Sequence, residues 1–388
     1  MILISTSNSP NKLKDITRNS TRSSSNTYHS PKMTGPPFTL PSKYAEVHKI
    51  ENQAGPGDNR PTGVQILKDG NRFDGSLNNK VAIVTGCSSG IGVPTVESLA
   101  AAGCIVYGGV RGASLGRAQE ALSSVLNDPK TKDKVHLLDL DLTSLASVKQ
   151  FADEIKKRES KINLLINNAG IMAVPTRELT KDGFESQFGT NHLAHFYLFQ
   201  NLKGLLIAGA KASPDFATRV VNVSSAAHRY NTVILDDINL AKPGNYDPQK
   251  AYGNSKTAKI WMANHIERLY SSQGIHAYSL MPGGIATPLQ KHVPEMMEAI
   301  KGVTRIENFM KSTGQGCATT IWAATDRDLE GRGGVYCEDC CIIGPVPSSK
   351  DGAVDVVVPG YSEWAYDPEG EEKLWKMSNE LVGLEANA

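Results

Sequence analysis

From Lys80 onward, short unbroken apolar runs alternate with longer stretches of helical spacing. Val81-Ala82-Ile83-Val84 is one such run, the pattern of a strand covered on both faces. The same reading places strands at Ile105–Tyr107, Val135–Leu138, Leu164–Ile166, Arg219–Val223, Ile275–Leu280 and Gly334–Tyr336. Helical stretches fall at Thr95–Ala102, Leu115–Leu126, Leu145–Lys157, Phe184–Leu206, Tyr252–Ser272 and Gly316–Thr325, with a short closing helix at Glu371–Leu381. Strand and helix in alternation predict one α/β domain: a doubly wound parallel sheet with helices on both faces. Two local departures carry expectations. Pro94 at the head of the first helix predicts a shifted helix start. Gly108-Gly109 thins the second strand and predicts a loosened pocket beside it.

The ends of the chain read differently. Residues 1–32 are rich in Ser, Thr and Asn, with Lys12, Lys14, Arg18 and Arg22 against Asp15. Such a stretch cannot bury a core and predicts a disordered leader. Basic and Ser-rich, it also has the character of a mitochondrial address, the lesser alternative; another is that translation starts at Met33. Residues 33–76 carry Pro36, Pro37, Pro41, Pro56 and Pro61 and predict an irregular arm on the surface. The folded unit is expected over 77–345, and 346–388 as a loop and short helix packed on it.

Composition narrows the function classes. The 388 residues hold 41 Lys+Arg against 40 Asp+Glu, so no basic surplus points to nucleic acid or an anionic membrane. No apolar run is long enough to span a bilayer. The six cysteines lie in apolar or Gly-rich segments and predict reduced thiols in a cytoplasmic compartment.

Two motifs carry chemistry. Thr85-Gly86-Cys87-Ser88-Ser89-Gly90-Ile91-Gly92 follows the first strand and opens a helix. Glycines there let the backbone approach a pyrophosphate, and the helix start offers free N–H groups. The second strand runs into Arg111 where an NAD site carries an acid. A guanidinium matches a 2′-phosphate, so NADP(H) is predicted; a solvated surface charge is the plain alternative. The second motif is Tyr252-x-x-x-Lys256, one face of a helix. An ammonium near a phenol favours the phenolate and lowers its pKa, making an acid/base pair. Alone, such a pair often just faces solvent.

Together these residues resemble the short-chain dehydrogenase/reductase family, whose motifs recur here in order. They are Thr85-Gly86 with Gly90 and Gly92, Asp141-Leu142-Thr143, Asn167-Asn168-Ala169-Gly170, Asn191, Ser224-Ser225, Tyr252 with Lys256, and Pro282-Gly283 with Thr287. Asn191-His192-Leu193-Ala194-His195-Phe196, Ser224-Ser225-Ala226-Ala227-His228 and Leu374-Trp375-Lys376 are similar to the retinol dehydrogenase, WW-domain oxidoreductase and protochlorophyllide reductase branch, in its fungal form. The resemblance implies a Rossmann-type fold and a catalytic tetrad. Tyr252 would exchange the substrate proton, Lys256 would lower its pKa and bond the ribose, Ser225 would bond the substrate oxygen, and Asn191 would hold a water. The cofactor would meet Gly86, Ser88, Ser89, Gly90, Ile91, Gly92, Arg111, Asp141, Leu142, Asn168, Ala169, Gly170, Pro282, Gly283, Ile285 and Thr287. It also implies that the helices at Phe184–Leu206 and Tyr252–Ser272 could pair two copies as a homodimer.

Cys337-x-x-Cys340-Cys341 lacks the second ligand pair of a closed zinc site, so no metal is predicted. Thr287–Lys311 carries Leu289, Val293, Met296, Met297, Ile300, Val303, Ile306, Phe309 and Met310. Under the resemblance it would cover a bulky apolar substrate; core packing is the alternative. The favoured reading is an NADP(H)-dependent oxidoreductase of a lipophilic ketone, aldehyde or alcohol, such as a secondary-metabolite or lipid-derived carbonyl. A reductase of a conjugated carbon–carbon double bond and a non-catalytic NADP-binding regulator are the alternatives.

Overall fold

The computed structural model describes residues 35–347 and 355–388; the leader expected at 1–32 lies outside them. An amino-terminal helix, α1 (Gly63–Asp69), precedes the alternating units. These are β1 (Val81–Thr85), α2 (Gly92–Ala101), β2 (Ile105–Val110), α3 (Leu115–Ala121), β3 (Val135–Asp139), α4 (Leu145–Arg158) and β4 (Leu164–Asn167). There follow α5 (Ala194–Lys211), β5 (Thr218–Val223), α6 (Pro248–Tyr270), β6 (Ile275–Met281), α7 (Ala318–Thr325), β7 (Val335–Glu338), β8 (Cys341–Ile342) and α8 (Pro368–Leu381).

The strands form one sheet in the order β8-β7-β6-β5-β4-β1-β2-β3, parallel except for the β7–β8 pair. All five residues of β1 are buried, because helices cover both faces of a parallel sheet. The order reverses direction between β1 and β4. Ligands of doubly wound sheets bind at that point, outside the carboxyl ends of the strands.

Several expectations are corrected. The helix expected from Thr95 begins at Gly92, with Pro94 as its third residue; an N–H there would have no intrahelical partner anyway. Gly108 and Gly109 leave no open space beside β2. A Cβ on Gly108 would stand 2.5 Å from Cys87 Sγ, and one on Gly109 2.6 Å from Leu140 Cδ2, so neighbouring side chains already fill that space. The helix expected over Phe184–Leu206 is interrupted by a π turn at Gly189–Leu193 and runs on to Lys211. The helix expected from Tyr252 starts earlier, because Pro248 takes its first turn and Asp247 caps it, accepting from the N–H groups of Gln249 and Lys250.

The arm is the largest correction. Thr62 caps α1 by accepting from Gln65 N–H, and α1 packs against α2 and α7 with Ile66 and Leu67 buried. The Arg60 side chain is buried against Asp58 at 2.9 Å. It donates to the carbonyls of Asn308, Phe309 and Met310. The residues read as a surface arm thus anchor the far end of the Thr287–Lys311 segment.

Helix α8 lies across α5 and α6. Trp375 packs edge-on to Phe196 at 4.8 Å between ring centres and against His265 at 4.9 Å, and Gln200 donates to Asn379 at 2.7 Å. The helix pair expected to join two copies is therefore covered by its own chain, and pairing through that face requires α8 to leave it. Among the described residues no helix is long and apolar enough to cross a membrane.

His192 and His228 are fully enclosed, and burial pushes both down to about 3. A histidine in the unfolded chain titrates near ~6.5, so acid favours the unfolded chain between those values. Stability should be full above about pH 6.5 and fall steadily as pH drops below it. Thermal melting across that range checks this; a midpoint that holds constant would mean the two rings accept protons without unfolding.

Candidate active site

The carboxyl ends of β1, β4, β5 and β6 surround a cleft of about 420 Å³, within the usual range for small-molecule sites. Its floor at the switch point is the glycine loop. Gly86 and Gly90 have φ of +75° and +63°, the left-handed region that side chains avoid. A Cβ on Gly92 would stand 2.3 Å from the Gly86 carbonyl oxygen, so the helix start can sit this close only because the residue is glycine.

Of the residues expected at a cofactor, Gly86, Ser88, Ser89, Gly90, Ile91, Arg111, Asp141, Leu142, Asn168, Ala169, Gly170, Pro282, Gly283, Ile285 and Thr287 line this cleft, together with Ser225, Tyr252 and Lys256. Gly92 packs beneath the loop. Asn191 stands behind the cleft, fully buried. Its side chain accepts from Ile171 N–H at 2.8 Å and donates to the Ile171 carbonyl and to Ser255 Oγ, each at 2.9 Å. These bonds give the side chain a scaffolding role.

The cradle fits a dinucleotide. At its base, Thr85 Oγ1 accepts from the N–H groups of Asn168 and Ala169, each at 3.0 Å, which ties β4 to the glycine loop. At the β2 corner Arg111 is exposed, and Arg117 donates to Ser88 Oγ at 3.2 Å and Ser114 Oγ at 3.1 Å. The nearby acid Asp139 accepts from Gly112 N–H at 2.6 Å, so two cations face this end of the cleft. Burial works against the Asp141 carboxylate, but hydrogen bonds from Lys181 and Thr143 outweigh it and hold the group below its usual pKa. Thr287 closes the opposite wall. Its hydroxyl caps the turn Pro288–His292, and Gln290 caps it in return.

At the other end, Tyr252 and Lys256 share the buried face of α6. Lys256 Nζ donates to the Val223 carbonyl at 3.0 Å and lies 5.3 Å from the centre of the Tyr252 ring. Burial pushes Lys256 down to about 7. The phenol was expected to be acidified, but the chain by itself does the reverse: burial raises Tyr252, and Ser225 beside it only partly opposes this. The cause is desolvation of the phenol, and the Lys256 amine, standing over the ring, does not offset it. Ser225 Oγ accepts from Ala227 N–H at 3.1 Å, which leaves its own proton for a ligand. Ser224 instead donates to the Lys256 carbonyl at 2.8 Å.

Sequence reasoning named Leu289 in the segment expected over the substrate but missed Ile171, Met172, Thr190, Met281, Gln290 and Lys291 on the cleft wall. Leu289 carried a signal within the apolar spacing of its segment; Met172 had only its position after the Asn-Asn-Ala-Gly turn. Cys337, Cys340 and Cys341 lie on or beside β7 and β8 as free thiols. Among the described residues no group of three His, Cys, Asp or Glu could hold a metal ion.

A sequence profile described as short chain dehydrogenase matches residues 80–236. The protein of Penicillium roqueforti named short-chain dehydrogenase/reductase prx1 is 47% identical over 343 residues, covering 88% of this chain and 95% of that one. Human polyprenol dehydrogenase is 34% identical over 308 residues, 79% of this chain and 86% of its own. The NADPH-bound carbonyl reductase from chicken fatty liver shares the fold, with a TM-score of 0.50 at 23% identity over 68% of this chain and 97% of its own. A glycine cradle at the switch point, a buried Tyr-x-x-x-Lys pair on the same cleft, and a relative matched over almost its whole length agree: the chain belongs to the short-chain dehydrogenase/reductase family and is an oxidoreductase.

Proposed function

We propose that the chain is an NADP(H)-dependent oxidoreductase that reduces a lipophilic ketone or aldehyde, or oxidises the matching alcohol. The observation that carries this is one cleft with Arg111 and Arg117 at one end and Ser225, Tyr252 and Lys256 at the other. The nicotinamide cofactor, when bound, supplies or accepts the hydride. The chain's residues do the rest. The glycine loop and the start of α2 hold the pyrophosphate, and the two arginines meet the 2′-phosphate. The free proton of Ser225 and the Tyr252 hydroxyl hold the substrate oxygen, and Tyr252 passes the proton to it. Lys256, held by the Val223 carbonyl, places a titrating amine over the phenol.

The lipophilic preference rests on Met172, Met281 and Leu289, which line the cleft, and on the segment anchored by Arg60. A relative named polyprenol dehydrogenase agrees with it. Burial pushes the thiols of Cys87, Cys104, Cys317 and Cys340 up to about 12, and free buried thiols suit a cytoplasmic compartment. The test is NADPH consumption across a panel of carbonyl compounds, with product identification. Bulky apolar ketones and aldehydes should turn over best. Preference for small hydrophilic carbonyls would remove the lipophilic reading, and a product reduced at carbon–carbon would replace it with double-bond reduction.

A further inference from the structure

His195 and Lys259 form a fully buried polar pair that the reading above does not use. Lys259 lies one turn beyond Lys256 on α6. Its Nζ donates to the Asn167 carbonyl at 2.9 Å and stands 3.2 Å from His195 Nδ1. The titratable groups that bear on it are Lys256 on its own helix, His195 on α5 and His192 on the π turn. None of them is an acid.

The far side of the imidazole fixes its tautomer. Thr85 Oγ1 already accepts from two backbone N–H groups, which uses both its lone pairs. Its own proton therefore goes to His195 Nε2 at 2.8 Å, since the Ile166 carbonyl is 3.5 Å away. Nδ1 then carries the ring proton and donates to the Asn191 carbonyl at 2.8 Å. That proton lies on the Asn191 carbonyl, so an ammonium 3.2 Å from Nδ1 would set its own N–H groups and charge against a ring N–H, whereas the uncharged amine can turn its lone pair that way. An ammonium at Lys259 would need Nδ1 as an acceptor. The ring proton would move to Nε2 and face a hydroxyl with no lone pair left. Asn191 would lose its donor, and Asn168 or Ala169 would lose its acceptor. Burial, with Lys256 nearby, holds the Lys259 amine well below its usual pKa, in the same direction.

We propose that Lys259 and His195 are positioning residues. The neutral Lys259 amine leaves His195 in the Nδ1–H tautomer that Thr85 sets, where an ammonium would displace it, and that ring holds the Asn191 carbonyl on the π turn and the Thr85 hydroxyl beneath the cofactor loop in one arrangement. The inference deepens the oxidoreductase reading and rests on it for its kinetic test alone.

The experiment is a pH series on the native chain, Lys259→Met and Lys259→Arg, with folding followed by thermal melting. Met carries no charge and Arg never loses its own. In the native chain the ¹⁵N shifts of His195 should report Nδ1–H at neutral pH and change on acidification, with NADPH affinity and kcat falling alongside. Lys259→Met should lose that acid-side change. Lys259→Arg should show it at every pH, with kcat down about tenfold, the order set by one lost hydrogen bond. The ¹⁵N shifts and NADPH titration need no turnover, so they stand if the carbonyl reading fails. An Nε2–H ring in the native chain at neutral pH would overturn the proposal. So would an Arg variant with native tautomer and native NADPH affinity. If Lys259→Arg does not fold, a tautomer change that persists unaltered in Lys259→Met would overturn it.

Discussion

Tyr252→Phe should cut turnover by orders of magnitude while leaving NADPH binding close to native. The change removes one oxygen from a side chain that is only 4% exposed, so the ring keeps its packing and the cleft its shape. What disappears is the proton at the substrate oxygen. General acid–base groups contribute about 10² to 10⁴-fold, and kcat should fall by that order. The environment also sets a direction. Burial keeps the phenol protonated at neutral pH in the chain by itself, the form that donates in reduction. Oxidation needs the deprotonated form, so its rate should rise with pH through a range where reduction still proceeds. Steady-state kinetics in both directions, with NADPH binding measured by fluorescence, check this. A Phe variant with near-native kcat would show that this hydroxyl is not the proton donor, and the proposed mechanism would fall with it.

Arg111→Ala should weaken NADPH about ten- to hundredfold and leave NADH nearly unchanged, since a hydrogen bond to a charged group is worth about 1.5–3 kcal/mol. Arg111 is exposed at the end of β2, with Arg117 beside Ser88 and Asp139 turned to Gly112. A 2′-phosphate placed there meets two cations, and Asp139 is not among the residues that line the cleft at that corner. Replacing both arginines should bring the two cofactors to similar affinity. Native use of NADH equal to NADPH, or an Arg111→Ala variant with unchanged preference, would reassign both side chains to the solvent face.

Much of the site could be read from spacing because its chemistry is local. A glycine turn between a strand and a helix, and a tyrosine four residues before a lysine, put backbone N–H groups and side chains on one face by secondary structure alone. Asn191 shows where this stops. Its position could be named, but the π turn that carries it and its bonds to Ile171 and Ser255 join segments far apart in the chain. The arm shows the same limit from the other side. Prolines and glycines at 33–76 read as irregular, yet Thr62 caps a helix there, and its stability comes from α2 and α7, which no local pattern reveals.

The alternation of buried strands and amphipathic helices, the cradle for a dinucleotide and the Tyr252–Lys256 pair proposed to exchange the proton were determined by the order of residues, since each depends on neighbours within a few positions. Tertiary structure alone decided the desolvation of that pair, the covering of α5 and α6 by α8, and the buried contact of Lys259 with His195. Those depend on desolvation and on hydrogen-bond partners brought from distant segments, and both exist only once the chain has closed around them.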